Sequence, residues 1–218
     1  TYKAVGFHEW AALFWPATTG LLGLLLVAFT GTRLFGRAAG IAAALVLASS
    51  IYYLFFAQVA TVDMNLTLFI SAAMCFILLG LNAAPKSRAE HGWMLAAWAA
   101  MGFALLAKGL VGVVFPLMAV GLYCVIERQW LLWLRLHLIS GPLLFLVIAA
   151  PWVVTVSLRN PEFFHFFFIQ EHFARYATTI HKRSEPFWFF LPLVVGGLLP
   201  WTWAMLESIR DGWRKDEM

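Results

Sequence analysis

Long apolar runs, each close to the length of one membrane crossing, occupy most of this chain. A bilayer core about 30 Å thick needs about 20 predominantly apolar residues in a helix. Seven stretches meet or approach that length: residues 11–30, 39–60, 65–83, 93–107, 109–126, 136–157 and 187–206. Because lipid offers no partner for an open backbone N–H or C=O group, a crossing segment must be helical. The pattern predicts an all-α, polytopic transmembrane helical bundle with about seven spans.

The composition indicates that lipid, rather than water, surrounds much of the chain. Of its 218 residues, 62% are hydrophobic and only 12% are charged, and the mean hydropathy is +0.82. Soluble domains carry about 25% charged residues. Cys75 and Cys124 lie inside apolar runs, so we expect free thiols rather than a disulfide. We expect neither a nucleotide cofactor nor a nucleic-acid partner, since the net charge of +4 belongs to membrane loops.

Basic residues divide unevenly between the two sets of loops that alternating spans would create. One set holds nine of them: Arg33, Arg37, Lys86, Arg88, Arg128, Arg135, Arg210, Arg214 and Lys215. The other holds six: Lys3, Lys108, Arg159, Arg175, Lys182 and Arg183. Cytoplasmic loops carry the excess of Lys and Arg, so the first set is predicted to be cytoplasmic. The second set is then expected to face the periplasm or the extracytoplasmic side.

Asp63 lies in the predicted outer link between the second and third spans, with no basic neighbour in sequence. An ionisable residue near a membrane is costly to keep and often marks a site. The simplest interpretation is that Asp63 caps the third helix, because an aspartate at that position accepts backbone N–H bonds. A second interpretation is that this carboxylate binds a metal ion or a sugar hydroxyl. A single residue could do both.

Lys108 lies between two apolar runs, where the fourth and fifth spans almost meet. A lysine at a tight helical hairpin can simply extend its ammonium to the membrane surface. Gly109 and Gly112 follow it, however, and glycines permit close backbone approach to a ligand. A phosphate suits a compact positive charge on a flexible stem. We therefore favour Lys108 as a phosphate-binding residue.

The longest predicted outer loop covers residues 158–186. Asn160-Pro161 is a helix-start signal, with Asn as the cap and Pro in the first turn. The aromatic run that follows is too short to cross a membrane and too apolar to stand free in water. It is typical of an amphipathic helix that lies in the membrane interface.

Charged residues gather on one face of that predicted helix. Glu171, His172 and Arg175 are neighbours at helical spacing. The face could be merely hydrated, as most such clusters are. Alternatively, it could form a basic, aromatic-walled pocket for a phosphate whose tail lies in the lipid. Further candidates for that pocket are Tyr176, Lys182 and Arg183.

Four stretches, in this order and spacing, resemble the GT-C type membrane glycosyltransferases, and specifically the bacterial relatives of protein mannosyltransferase and lipid A aminoarabinose transferase. They are residues 6–12 with 34–36, residues 60–66, residues 106–112 with Pro116, and residues 166–175 continued by 186–192 and 199–201. Each motif alone is weak, and together they cover essentially the whole chain. The resemblance implies transfer of a sugar from a polyprenyl-phosphate donor to a lipid A-like, protein or glycan acceptor at the periplasmic face.

The resemblance also implies roles for individual residues. Asp63 corresponds to the second important aspartate of the family, and Lys108 to the lysine of its Lys-Gly motif. Arg175 would contact the donor phosphate, assisted by Lys182 and Arg183. His172 matches a histidine that helps to hold a divalent metal, which could be zinc, magnesium or manganese. Such cations would neutralise the leaving phosphate electrostatically.

The same resemblance implies that residues 1–218 are part of a larger domain. A first transmembrane helix, a first outer loop and a C-terminal soluble domain are expected outside this stretch. The general base, an aspartate of that first outer loop, and a glutamate that ligates the metal would then lie outside it too. We therefore expect the 218-residue piece alone to be inactive.

Two other function classes compete with glycosyl transfer. A transporter or flippase for an amphiphilic anion would usually place its charges near the bilayer midplane on broken helices. Here they gather at one face, which disfavours transport. A non-catalytic membrane scaffold would tolerate substitution in the outer loop.

Overall fold

The computed structural model describes residues 8–163, 167 and 187–215. The α-helices are α1 Glu9–Phe35, α2 Arg37–Ser49, α3 Ile51–Ala57, α4 Asp63–Asn82, α5 Arg88–Lys108, α6 Val111–Ile126, α7 Leu132–Arg135, α8 Ser140–Arg159, α9 Phe190–Gly197 and α10 Thr202–Lys215. A 3₁₀ helix, Phe187–Phe189, precedes α9. Across these described ranges no β-strand occurs, and the predicted all-α architecture is confirmed.

Helices α4 and α5 form the central antiparallel hairpin. At one end of it the side chains of Asp63 and Lys108 are paired, and we call this the Asp63 end. At the other end Phe76 of α4 stacks on Trp93 of α5, with ring centroids 5.7 Å apart. We call it the Glu90 end, after the buried carboxylate in the first turn of α5.

The neighbouring helices alternate in direction around this hairpin. Helix α1 begins at the Asp63 end, where Gly20 approaches Met64, and it ends near Trp93, whose ring lies 6.2 Å from Phe29. Helix α8 runs parallel to α5, since Gly141 packs on Trp98 and Gly102 on Ile148. Between α1 and α8, the described links that carry the excess of basic residues therefore all lie at the Glu90 end.

The core is narrow, and much of the apolar surface faces outward. Met64, Met94, Met101 and Cys124 are fully buried among the described residues of the central helices. By contrast, only 11% of the apolar window of α8 is buried, and Leu158 is 80% exposed. In a membrane such side chains contact lipid, so the outward-facing apolar surface fits a membrane-embedded bundle.

Length and composition support fewer crossings than the seven predicted. Three helices qualify on their own: Trp10–Phe35, Asp63–Asn82 and Ser140–Arg159. Two bent helix pairs raise the total to five if each pair is one span. The predicted spans 93–107 and 109–126 are helical in α5 and α6, but α6 has only 16 residues and α5 carries charges at both ends. These two crossings therefore remain predictions.

Two predicted spans, 39–60 and 187–206, are broken rather than continuous helices. The bend is 68° between α2 and α3 and 104° between α9 and α10. The two breaks contact each other, because the backbone N–H of Ile51 donates to Leu199 O at 3.2 Å. Trp201 Nε1 also donates to Ser49 Oγ at 2.8 Å. At the first break, the Ile51 N–H thus bonds to the other broken segment instead of continuing its own helix.

Candidate functional site

Asp63 and Lys108 form an ion pair across the Asp63 end of the hairpin. The carboxylate Oδ1 accepts from Lys108 Nζ, although 45 residues separate the two in sequence. Their side chains are 32% and 47% exposed respectively. The two sites that the sequence singled out independently are thus one site, and Asp63 does have a basic neighbour in space.

Asp63 does not cap its helix as the simplest interpretation predicted. Val62 occupies the N-cap position of α4, and Asp63 is the first helical residue, with no side-chain cap bond at this helix start. Its carboxylate turns to Lys108, where a charged partner offers more than a backbone N–H group. A carboxylate in the first turn still interacts favourably with the positive end of the helix dipole.

Lys108 is placed by a sharp turn between α5 and α6. Gly109, which ends α5, has a φ of +91, and its N–H donates to Leu105 O at 2.8 Å. A positive φ is readily adopted only by glycine, so Gly109 fixes Lys108 as the last residue of α5. Three residues later Gly112 packs on Ala104, where an added Cβ would lie 2.4 Å from the Ala104 Cβ. The tight hairpin predicted at Lys108 is confirmed.

The electrostatics of this pair leave Lys108 able to take another partner. A partly exposed ion pair contributes only about 0–1 kcal/mol to stability, since water competes for both charges. An approaching anion can therefore exchange for Asp63 as the partner of the ammonium at little cost. Asp63 would then be left free to accept from a hydroxyl or another donor.

Most of the predicted outer site lies outside the described residues. This holds for Glu171, His172, Arg175, Tyr176, Lys182 and Arg183, and for the predicted interfacial helix that would carry them. Helix α8 delivers the start of the 158–186 loop to the Asp63 end. There Phe163 stacks on Phe167 at 5.2 Å and meets Trp152 edge to face at 5.5 Å. Aromatic rings of α8 and of the start of the loop thus pack together at this end, while the predicted aromatic-walled pocket stays a prediction.

A buried ion pair at the Glu90 end was not predicted. Arg135 Nε donates to Glu90 Oε1 at 2.5 Å, and Arg135 Nη2 donates to Ala83 O at 3.0 Å. The Glu90 side chain is only 3% exposed. Burial alone would raise the pKa of Glu90, but hydrogen bonds from Arg135 and from the backbone of Lys86 outweigh it and lower that pKa. The pair ties the α4–α5 link to the segment before α8.

A local sequence signal could have pointed to Glu90. Ser87 and Glu90 match the Ser-x-x-Glu pattern of a capping box ahead of an apolar run. In the structure Ser87 is the N-cap of α5, and its hydroxyl accepts from the Glu90 N–H at 3.1 Å. The Arg135 partner, 45 residues later, has no such local signal.

The described residues contain no group of three or more His, Cys, Asp or Glu side chains close enough to hold a metal ion. The Asp63 carboxylate, which the sequence suggested as a possible metal ligand, is paired with Lys108. The divalent metal predicted at His172 involves a residue outside the described ranges and stays a prediction.

Comparison with known proteins places these observations in a family. Residues 1–154 match the family model for dolichyl-phosphate-mannose-protein mannosyltransferase. An undecaprenyl phosphate-α-4-amino-4-deoxy-L-arabinose arabinosyl transferase of Erwinia tasmaniensis is 30% identical over 201 residues, which are 89% of this chain and 35% of that protein. The enzyme of the same name from Edwardsiella ictaluri is 30% identical over 213 residues, 96% of this chain and 38% of that protein.

A solved structure agrees with the sequence relatives. The crystal structure of ArnT from Cupriavidus metallidurans bound to undecaprenyl phosphate superposes with a TM-score of 0.85 at 42% identity. The match covers 92% of this chain and 37% of that one. The chain thus spans little more than a third of the length of the relatives it matches. The family model covers well over half of the chain, and the relatives and the shared fold agree with it, so the chain belongs to the GT-C dolichyl-phosphate-mannose-protein mannosyltransferase family.

Proposed function

We propose that this chain is the membrane-embedded part of a glycosyltransferase that takes its sugar from a polyprenyl-phosphate donor. The observation that carries the proposal is the likeness, at 42% identity and a TM-score of 0.85, to an ArnT bound to undecaprenyl phosphate. The Asp63 end adds a chemical reason, because Lys108 offers there a partly exposed ammonium that can bind a phosphate.

Lys108 would act on the phosphate of the donor. In glycosyl transfer the bond between the anomeric carbon and the phosphate oxygen breaks, and the phosphate leaves with the bonding electrons. A cation already in place stabilises that growing negative charge without having to reorganise during the reaction. Lys108 is held at the end of α5 by Gly109, so its stem starts from a fixed point and only the side chain moves.

Asp63 would have a supporting role. While no donor is bound it neutralises Lys108, and once the ammonium turns to a phosphate the carboxylate is free to orient a sugar or acceptor hydroxyl. We infer from the resemblance that the general base is a different carboxylate, outside residues 1–218. A divalent metal at His172, if bound, would supply Lewis-acid stabilisation of the same phosphate.

The predicted cations of the outer loop would complete the phosphate site. We propose that Arg175 contacts the donor phosphate most directly, with Lys182 and Arg183 adding positive charge, while Glu171 and Tyr176 line the same face. Helix α8 supports this proposal, because it brings the beginning of the loop to the end of the bundle that holds Lys108.

We further propose a location in a bacterial inner membrane, with the Asp63 end facing the periplasm. The described loops between α1 and α8 at the opposite end carry Arg33, Arg37, Lys86, Arg88, Arg128 and Arg135. Excess positive charge marks the cytoplasmic side. The acceptor would then be a lipid A-like molecule, with a protein or another glycan as the remaining possibilities.

The proposal is tested by following the fate of a sugar-linked polyprenyl phosphate in proteoliposomes that contain the complete gene product. Release of free polyprenyl phosphate that depends on an added lipid A acceptor supports glycosyl transfer. Movement of intact donor across the vesicle wall without release would support a flippase instead. If neither release nor movement is observed, both of these functions are contradicted and a non-catalytic scaffold is the remaining interpretation.

A variant makes the same assay specific to the site. Arg175→Ala should lower turnover by about 10²–10³, the usual cost of removing one group that stabilises charge in the transition state. Membrane insertion, measured by the amount of protein in the membrane fraction, should not change. Near-wild-type turnover would contradict the role proposed for Arg175.

A further inference from the structure

Two histidines face each other at the Glu90 end, remote from the proposed donor site. His91 follows Glu90 in the first turn of α5, and His137 lies between α7 and α8. Their Nδ1 atoms are 3.3 Å apart, although 46 residues separate them in sequence. The rings meet edge to face, with centroids 4.6 Å apart.

Hydrogen bonds of neighbouring residues fix the backbone next to each of the two histidines. Two residues before His137, Arg135 is bonded to Glu90, the neighbour of His91. One residue before it, the carbonyl of Leu136 accepts from Trp98 Nε1 at 2.8 Å. These contacts fix the backbone beside both histidines, while the His91 side chain itself is exposed and open to ions from solution.

The backbone at His137 is itself unusual. Its φ is +51, a left-handed value that is uncommon outside glycine, although histidine adopts it more readily than most residues. Such a conformation costs free energy and persists where surrounding contacts enforce it, often at functional positions. The Arg135 and Leu136 bonds are contacts of this kind.

Only one nitrogen of His137 can reach a ligand. Its Nε2 atom is buried and has no hydrogen-bond partner within the part of the chain that the structure describes. Its Nδ1 atom is the one that faces His91. A recess of about 360 Å³, lined by Leu134, His137, Leu138, Ile139 and Ser140, lies beside the ring and offers room for water.

We propose that His91 and His137 form a two-histidine site for a divalent transition-metal ion, with zinc as the representative. Two imidazole nitrogens at about 2.0–2.1 Å from one tetrahedral zinc lie about 3.3–3.4 Å apart. The observed 3.3 Å between the Nδ1 atoms matches this separation. Imidazole suits zinc, copper and nickel, whereas magnesium and calcium prefer oxygen ligands.

The remaining coordination positions would be filled by water from the recess. No third His, Cys, Asp or Glu joins the pair among the residues with described positions. The site is therefore an exchangeable one that clamps the start of α5 to the segment before α8. It is also separate from the metal predicted at His172, which belongs to the loop at the opposite end.

The competing interpretation is a simple N–H···N hydrogen bond between two neutral imidazoles, and metal titration separates the two. The complete gene product, purified in detergent, is titrated with Zn²⁺ by calorimetry, with Mg²⁺ as the control ion. His91→Gln removes one ligand, and His137→Asn removes the other while keeping a residue that tolerates positive φ. The matched control is His8→Gln, a change at an exposed histidine before α1.

We expect one Zn²⁺ equivalent to disappear, or to weaken at least about tenfold, in His91→Gln and in His137→Asn but not in His8→Gln. Loss of even a supporting group around a metal typically weakens binding 10–100-fold, so loss of a ligand should do no less. Mg²⁺ should not compete. Zinc binding of unchanged stoichiometry and affinity in both ligand variants would overturn the proposal.

A second measurement needs no variant and so does not depend on whether the variants fold. Wild-type protein is treated with diethylpyrocarbonate, which modifies accessible imidazole nitrogens, and the modified peptides are measured by mass spectrometry. Zn²⁺ should protect His91 and His137, and Mg²⁺ should not. Equal modification of both histidines with and without Zn²⁺ would refute the site.

Discussion

The two ends of the α4–α5 hairpin are both closed by an acid–base pair, yet the pairs differ in almost every other respect. They lie about 30 Å apart, the length of a 20-residue helix. Glu90 is 3% exposed and Asp63 is 32% exposed. An ion pair thus stabilises packing at the Glu90 end, where water is excluded. The same type of interaction leaves a charge available for a ligand at the Asp63 end, where water enters.

The two ion pairs differ in how many of their hydrogen-bonding groups already have partners. The Glu90 carboxylate accepts from Arg135 and from the Lys86 backbone, and Arg135 also donates to the Gly80 and Ala83 carbonyls. Removing the counter-charge of a buried carboxylate is costly, because the remaining charge is left uncompensated. By contrast, Asp63 is the acidic partner of Lys108 among the described residues. The Lys108 ammonium therefore retains N–H donors that can bind an incoming ligand.

The largest effect should come from breaking the buried pair. Arg135→Ala leaves a nearly inaccessible carboxylate without its counter-charge, which costs 3–5 kcal/mol at fully buried sites. Because Arg135 is 29% exposed, we expect about 3 kcal/mol, the lower end. The free energy of unfolding in mixed micelles measures it, with the exposed Arg88→Ala as a control that should change it little. A loss below about 1 kcal/mol would place this pair in the same class as Asp63–Lys108.

At the Asp63 end the effect should appear in turnover rather than in stability. Lys108→Ala should lower turnover about tenfold, which corresponds to about 1.4 kcal/mol of lost transition-state stabilisation. The unfolding free energy should fall by no more than about 1 kcal/mol, as for other exposed pairs. Acceptor-dependent release of polyprenyl phosphate in proteoliposomes and unfolding in micelles are measured on the same preparation. Unchanged turnover together with a large stability loss would reverse the assignment of the two ends.

The helix cap at the Glu90 end should have a smaller effect. Ser87→Ala removes the hydroxyl that accepts the Glu90 N–H, and such caps contribute about 1 kcal/mol. Thermal unfolding of Ser87→Ala and of Ser87→Asp, which retains a capping oxygen, should separate the cap from a general effect of substitution. Equal loss in both variants would show that the cap bond is not responsible.

The smallest effect at neutral pH concerns the protonation of Glu90. Its pKa is lowered in the fold, chiefly by the bonds from Arg135 and Lys86 that overcome burial. The stabilisation is thus complete above the ordinary glutamate value of about 4.3 and is lost as pH falls through the lower folded pKa. Unfolding free energies between pH 7 and pH 3 should decline only at the acidic end. Glu90→Gln should decline less, and a parallel decline would contradict this account.

The sequence predicted the all-α architecture and both residues of the Asp63–Lys108 pair. Apolar run length is a local property, so the helices could be located without knowledge of their packing. The pairing itself could not be predicted, because it joins residues 45 positions apart and arises only when α4 and α5 pack together. Local reasoning therefore favours Asp63 as a helix cap, whereas in the structure Val62 occupies the N-cap position and no side chain caps α4.

The broken helices and the Glu90–Arg135 pair escaped prediction for the same physical reason. Residues 39–60 are apolar enough for one continuous helix, yet the helix breaks at Ser50, where the Ile51 N–H donates to the distant Leu199 O. From the sequence alone Arg135 is one more basic loop residue, because the carboxylate that binds it, Glu90, lies 45 residues away on α5. Contacts between distant segments decide such features, and a single sequence does not record them.

The most direct test of the central claim measures the affinity for undecaprenyl phosphate, by calorimetry or native mass spectrometry, in the complete gene product. The claim is that the lipid-borne phosphate meets the Asp63 end. Lys108→Ala should weaken binding about tenfold, a change of about 1.4 kcal/mol, while Arg88→Ala at the Glu90 end should bind like the wild type. Equal affinity in Lys108→Ala and the wild type, or selective loss in Arg88→Ala, would contradict it.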